Sequence, residues 1–228
     1  MAAHLIVAQT RHQQALLAER FGRQAIVIPS PIDLRISNVK MAVLPADLQH
    51  YVLWIGKSDA VKQPDLLLEV ARACPGLKFV VVLNNTDTAI FNAMRAAAPD
   101  NVMLRESFEP AQADDLFARA LVLVNTSRFE GFPNTYLQAG KHGVPVLSLN
   151  ADPDGMLEAP RCGVCAHGSL PALTTALQRI AAEPALHAEY SRNIRAYVHQ
   201  HHDLDQCTAL LRAALEPLAA ASTRPCAA

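Results

Sequence analysis

The sequence lacks an excess of either charge, a long apolar run and an even set of cysteines, and each lack excludes something. Its 20 Lys and Arg nearly cancel its 21 Asp and Glu, leaving a formal charge of −1. No global positive field is present to draw a polyphosphate, which disfavours nucleic-acid binding. No stretch reaches the roughly 18 uncharged apolar residues that a membrane-spanning helix needs, so no integral membrane segment is expected. The basic-then-apolar layout of a secretory leader is also missing from the first residues. Five cysteines are an odd number in a chain large enough to build a core without staples, and they read as reduced thiols. Cys162 and Cys165 form a CxxC, but no second pair follows at zinc-ribbon spacing, and the run RCGVCAHG is Gly-broken rather than helix-opening. They read as small residues entering a strand, with no metal site. His201 and His202 are adjacent, so on a helix they point about 100° apart and are expected on the surface rather than on one metal.

At 228 residues the chain is modestly longer than a usual single domain, and one full domain plus an attached piece is the natural division. From Tyr51 onward, apolar runs alternate with segments of helical length. YVLWIG (51–56), KFVVVL (78–83), NVML (101–104), LVLVN (121–125) and PVLSL (145–149) are aliphatic or β-branched on both faces, as strands buried between two helix layers must be. Between them Asp65–Ala73, Asp87–Ala98, Ala111–Ala120 and Asn134–His142 carry apolar positions at helical spacing. The alternation predicts βαβ units, hence an α/β fold with a parallel sheet flanked by helices. Ahead of this unit, HLIVAQTRHQQALLAERFGRQAIVIPSPID reads as strand, helix (11–21) and strand (25–29). One βαβ cannot bury both faces of its own strands, so residues 1–33 read as the tail end of a preceding domain. Residues 34–50 are polar and Pro-broken, as a linker would be; 51–200 form the main domain, and 201–228 a C-terminal helix with a flexible tail. Helical segments are expected near 169–183, 184–200 and 204–218.

Ligands of parallel sheets bind at the carboxyl ends of strands, and two such places are chemically rich. After strand 51–56 comes Gly56-Lys57-Ser58-Asp59-Ala60-Val61-Lys62. Gly56 lets the backbone turn tightly, and two lysines five apart either converge on a diphosphate as point charges or remain two solvated surface groups. After strand 121–125, Glu130-Gly131-Phe132-Pro133 turn into a helix that begins at Asn134 and Thr135. Free amides at a helix start, with the dipole behind them, make an anion site. Glu130, one turn upstream, is either a capping partner of that dipole or a carboxylate aimed into the cleft to accept hydrogen bonds from sugar hydroxyls. The residues alone lean towards capping. Asp152 and Asp154, in Asp-Pro-Asp-Gly, either reach the ligand or form a plain turn, and the turn is the simpler reading.

Phe129-Glu130-Gly131-Phe132, a helix and then Gly143-Val144-Pro145-Val146 resemble the donor-site signature of retaining glycosyltransferases of the GT-B architecture, the group 1 type. The Lys57/Lys62 loop resembles that family's Arg-x4-Lys pair, and VAQTRHQQALLAERFG with IVIPSPID resembles the last βαβ of its acceptor domain. GFPNT and DPDG are similar to a bacterial polysaccharide-assembly subgroup. The resemblance implies a Rossmann-like C-terminal half carrying a remnant of the N-terminal domain. It implies that Glu130 contacts donor-sugar hydroxyls, that Lys57 and Lys62 neutralise the diphosphate, and that Gly56, Phe108, Gly131, Phe132, Asn134, Thr135 and Gln138 complete the donor site. The loop Arg105–Phe108 would read the base. The donor would be a UDP- or GDP-sugar, with no cofactor or metal. A glycan or lipid-linked acceptor would be engaged through the N-terminal domain, in surface polysaccharide synthesis, in the cytoplasm or peripherally at the inner membrane. The full-length protein would be a retaining hexosyltransferase and this chain alone inactive. Two residues depart from the pattern: Gln138 stands where a ribose-binding glutamate is usual, and Lys57 where arginine is common. A UDP-sugar epimerase of the same architecture and a non-catalytic nucleotide-sugar-binding module are the alternatives; the additional acids and histidines of the first are not found.

Overall fold

The apolar runs become strands because each buries both of its faces. The computed structural model describes residues 5–36, 44–57, 59–84 and 88–222. In order these form β1 (Val7–Ala8), α1 (Arg11–Phe21), β2 (Ile26–Val27), β3 (Tyr51–Gly56), α2 (Pro64–Ala73), β4 (Phe79–Leu83), α3 (Thr88–Ala97), β5 (Val102–Arg105), α4 (Ala113–Ala118), β6 (Ala120–Asn125), α5 (Asn134–His142), β7 (Val146–Ser148), β8 (Gly163–Cys165), α6 (Leu170–Ala182), α7 (Pro184–His201) and α8 (Leu204–Ser222). β1 and β2 pair in parallel by themselves, and the main sheet is parallel in the order β5-β4-β3-β6-β7-β8. The winding reverses between β3 and β6, the point at which open sheets of this kind leave a crevice.

Two cores follow from the two-residue period of the strands. Val52, Trp54, Phe79, Val81, Val122 and Val124 face one way, against Leu67, Val70, Leu173, Leu177 and Ile180 of α2 and α6. Tyr51, Leu53, Val80, Val82 and Leu123 face the other way, against Leu116 and Phe117 of α4, Tyr136 and Ala139 of α5 and Ile194 of α7. A polar residue at any of these positions would be buried whichever face it took, which is why the strands read as unbroken apolar runs.

The helix expected over 111–120 is shorter. It starts with a 3₁₀ turn, Pro110–Gln112, and α4 stops at Ala118 because Ala120 is already paired with Tyr51 in the sheet. Gly163–Cys165 is the edge strand that Cys162 and Cys165 were expected to enter, and both thiols are buried and unpaired. Burial pushes the Cys162 thiol up to about 12, which leaves it inert as a nucleophile near neutrality. Residues 37–43 of the expected linker and 223–228 of the expected tail lie outside the described residues.

One expectation is overturned. Of the two histidines placed on the surface, His201 is exposed but His202 is only 3% exposed. Because adjacent residues diverge on a helix, exposing the first turns the second inward. The His202 ring lies 4.8 Å from that of Phe132, and its Nδ1–H donates to the Ser30 carbonyl at 2.8 Å. The backbone is stitched at the same place: Ile32 N–H donates to His202 O at 2.8 Å and Leu204 N–H to Ile32 O at 3.1 Å. The front β1–α1–β2 unit is thus tied, through its exit segment, to the junction of α7 and α8.

Two measurements test this packing. Gly140 of α5 meets Val198 of α7 so closely that a Cβ there would lie 2.3 Å from Val198 Cγ2. Alanine in a helix interior ordinarily gains about 1 kcal/mol over glycine, but overpacking costs about 1–3 kcal/mol, and this approach is far inside van der Waals contact. Gly140→Ala is expected to lower unfolding free energy in urea denaturation, and Gly140→Ala with Val198→Ala to lose less than the sum of the two single changes. The second measurement concerns acid. Burial lowers the pKa of His202, against the opposing Ser30 hydrogen bond and with His201 adding to the shift. Burial also lowers that of His142, against Asp114 and with Lys141 and Arg195 adding to the shift. Both histidines bind protons more readily unfolded, at about 6.5. Their contribution to stability is therefore complete above that value and is lost as pH falls through the lower folded values. The melting temperature should drop from pH 7.5 to 5.5, and His202→Gln should flatten that slope.

Candidate functional site

β3 and β6 are neighbours at the sheet reversal, so the loops that leave them meet over the crevice. β3 ends at Gly56, where a Cβ would lie 2.8 Å from Trp54 Cη2; the indole fills the space that a side chain would need. The loop that follows is shaped by Asp59, whose Oδ1 accepts from the amides of Val61 at 3.0 Å and Lys62 at 2.8 Å. Gln63 then takes a left-handed conformation, φ 48°, immediately before Pro64 opens α2. Proline disfavours helical geometry in the residue before it, so the kink falls on Gln63 and not within the helix.

β6 ends at Asn125, and Thr126 and Ser127 follow it directly; all three are buried polar residues. The Thr126 hydroxyl accepts from Trp54 Nε1 at 3.0 Å and donates towards the carbonyls of Lys62 at 2.7 Å and Gln63 at 2.9 Å. Arg128 N–H donates to Val61 O at 2.8 Å. The two loops are thereby fastened together backbone to backbone, with Lys62 held opposite Glu130.

The charge on Glu130 is accounted for by what surrounds it. Its Oε1 accepts from Lys62 Nζ at 2.5 Å, Ser127 Oγ at 2.7 Å and Asn125 Nδ2 at 3.3 Å. The lysine side chain is 26% exposed and the glutamate 13%, so the pair is partly shielded from water but open on one side. Oε2 has no partner among the described residues. The capping reading is overturned: Pro133 is the N-cap of α5, no side chain bonds to that end, and the carboxylate turns to the lysine instead. Tyr136 N–H bonds to Pro133 O at 2.9 Å, while the amides of Asn134 and Thr135 have no acceptor among the described residues. These two N–H groups and the helix dipole leave a positive end, one turn from the carboxylate. α5 is held in place by Tyr136, whose buried hydroxyl donates to Ala151 O at 3.0 Å, and by Lys141, ion-paired to Asp114 at 2.7 Å.

The other expected residues divide. Lys57 is exposed on the same loop as Lys62, and Gln138 is half-buried one turn along α5 from Asn134, on the same face. Gly131 is exposed and faces the front unit; a Cβ there would lie 3.0 Å from Gln13 Nε2. Phe108 packs on the second core, and Phe132 packs inward between the second core and Leu137, Val198 and Ile32. The Asp152–Gly155 run does form a turn, with a 3₁₀ segment at Pro153–Gly155. Its Asp154 also accepts from the Arg11 amide at 2.7 Å and the His12 amide at 3.2 Å at the start of α1. Asp152 accepts from Leu157 N–H at 2.7 Å, and burial raises its pKa. Sequence reasoning missed Asn125, Thr126, Ser127 and Asp59. The signal available was the polar triplet closing an otherwise apolar strand, since three hydrogen-bonding side chains buried at a strand end must have partners.

Residues 49–183 match the family model described as Glycosyl transferases group 1. Among solved structures, sucrose-phosphate synthase from Thermosynechococcus elongatus superposes with a TM-score of 0.81 at 21% identity, over 96% of this chain and 59% of that one. Anabaena Alr3699/HepE, in complex with UDP and glucose, gives 0.78 at 17% identity, over 94% and 64%. WaaG, a glycosyltransferase involved in lipopolysaccharide biosynthesis, gives 0.68 at 19% identity, over 85% and 58%. The chain spans less than two thirds of the length of each. No curated protein matches it. The parallel sheet flanked by helices is the GT-B glycosyltransferase fold. With more than half of its residues inside the family match, the chain belongs to the glycosyl transferases group 1 family.

Proposed function

We propose that this chain is the donor-binding part of a retaining glycosyltransferase that takes a sugar from a nucleoside-diphosphate sugar to a glycan or lipid-linked acceptor, in bacterial surface polysaccharide synthesis. The observation that carries the reading is the Lys62–Glu130 pair beside the Asn134 and Thr135 amides, which have no acceptor among the described residues. A diphosphate lodged on the Asn134 and Thr135 amides would meet the Lys62 ammonium, with Lys57 on the same loop as a second cation. Positive charge fixed at that place stabilises the departing nucleoside diphosphate, which is where negative charge develops in sugar transfer. Glu130 Oε2, which has no partner among the described residues, is then available to a sugar hydroxyl, while Oε1 stays anchored by Ser127 and Asn125. The UDP and glucose in the Anabaena structure and the lipopolysaccharide role of WaaG support the choice of donor and of product class. The acceptor would be engaged by a further N-terminal domain.

A binding module without transfer is the second reading, favoured by Gln138. An amide has one acceptor oxygen where a carboxylate has two, so it satisfies a ribose diol only in part.

Titration calorimetry with UDP-, GDP- and ADP-sugars tests the donor site; heat with one of them is expected, and none with any would remove the assignment. Glu130→Ala should separate sugar from phosphate. It deletes a charge-assisted contact to the sugar, a loss of at least about tenfold in nucleotide-sugar affinity, while releasing Lys62 from its internal counter-ion. Bare UDP should therefore bind as well as before or better, and a parallel loss for UDP and UDP-sugar would mean that Glu130 only supports the loop. Gln138→Glu should tighten UDP binding if the ribose lies over α5.

A further inference from the structure

We propose that Asp114 of α4 is a positioning residue for the diphosphate: it grips the far end of α5 and so sets the direction in which the Asn134 and Thr135 amides point, a role that rests on the donor reading above. Its Oδ1 accepts from Lys141 Nζ at 2.7 Å and from His142 Nε2–H at 2.8 Å. None of the three side chains is more than 11% exposed. Ionisable groups taken out of water give up hydration that their attraction at best returns, so such a cluster is weak evidence for stability. What it supplies is direction.

Lys141 and His142 are neighbours in the chain, and on a helix they leave the axis about 100° apart. Both reach one oxygen atom, so that oxygen lies in the sector between them, and α5 cannot turn about its axis without losing one of the two bonds. The rest of the contact lacks that selectivity. Leu116 and Phe117 of α4 share the second core with Tyr136 and Ala139 of α5, and apolar burial is non-directional, tolerant of rotation and sliding. At the gripped end Arg195 of α7 adds a tie, donating to the His142 carbonyl at 2.9 Å.

Asp114 can serve as a reference only if α4 is itself held. The buried Tyr51 hydroxyl of β3 donates to the Leu116 carbonyl at 2.5 Å. Arg119, the C-cap of α4, pairs with Asp115 at 3.0 Å and donates to the Pro45 carbonyl at 2.9 Å. The sheet thus holds α4, α4 holds α5 through one carboxylate, and α5 presents its first amides to the crevice about two turns away. The start of α5 has its own anchor in the Tyr136 hydroxyl on the Ala151 carbonyl. One hydrogen bond leaves the helix a pivot, and the grip of Asp114 removes it.

A triple variant, Asp114→Leu with Lys141→Met and His142→Phe, replaces the cluster by apolar side chains and removes the grip without leaving a charge unpaired. Expected are a melting temperature close to that of the unchanged chain and a UDP affinity in calorimetry lowered at least about fivefold. In isotope-labelled protein without nucleotide, the amide resonances of Asn134 and Thr135 should shift, although both lie about two turns from the substitutions. Asp114→Asn is the second variant; it keeps an acceptor for His142 but leaves Lys141 without this counter-ion, and both melting temperature and UDP affinity should fall. Adding Lys141→Met to it should recover the melting temperature and not the affinity. UDP affinity unchanged in any of these variants that folds, affinity that returns together with the melting temperature, or unmoved Asn134 and Thr135 resonances would each overturn the proposal. If the unchanged chain binds no UDP, the donor assignment falls, and the two resonances still decide whether Asp114 orients the start of α5.

Discussion

The ion pair between Lys62 and Glu130 joins two loops sixty-eight positions apart in the chain, and it sets where the two charges stand over the crevice. A pair taken partly out of water gives up hydration that its mutual attraction recovers only if the remaining hydrogen-bonding capacity is met. Here Ser127 and Asn125 meet it for Oε1. Such an arrangement is weak evidence for stability and stronger evidence for position, because either charge without the other would be left half-desolvated. The polar triplet at the end of β6 serves the same end: Thr126 ties the carbonyls of Lys62 and Gln63 to the Trp54 indole, so the lysine backbone is fixed before its side chain reaches the glutamate.

The sheet explains why these groups meet at all. In the order β5-β4-β3-β6-β7-β8, β3 and β6 are consecutive in space but separated in sequence by two whole βα units. Helices leave their carboxyl ends towards opposite faces, and the space that remains between the loops is the crevice. The strands contribute rigidity, since side chains from each pack into both cores. Charged groups sit on loops that this scaffold positions, the usual division of labour between frame and site.

Much of this was legible in the residues, and the limit is physical. Strands such as FVVVL are recognisable because burial on two faces leaves no room for polar alternation, and α5 has the same limits in sequence and structure, with Pro133 before it and Gly143 after it. The fold class and the β3 and β6 loops as the places of interest follow from that pattern. The partner of Glu130 does not. Nothing local distinguishes a carboxylate facing a helix end from one facing a lysine on another loop, and strand register decides the matter. His202 is similar: the divergence of neighbouring helical residues was foreseen, but which of the two turns inward depends on where Ser30 and Phe132 arrive. Asp154 reads as a turn residue and is one, yet its carboxylate is also taken by the amides of α1, a contact across 142–143 positions.

The junction near Ile32 has a mechanical consequence. Two strands of polypeptide cross there side by side, one leaving the front unit and one entering α8, and they are bridged in parallel between Ile32 and Asp203. A single tether would let the two bodies swivel freely, whereas a doubled and cross-linked one resists twisting and sliding and leaves bending as the soft coordinate. What bends at this junction is the front unit against α8, while the β3 and β6 loops, fastened to each other, keep their spacing.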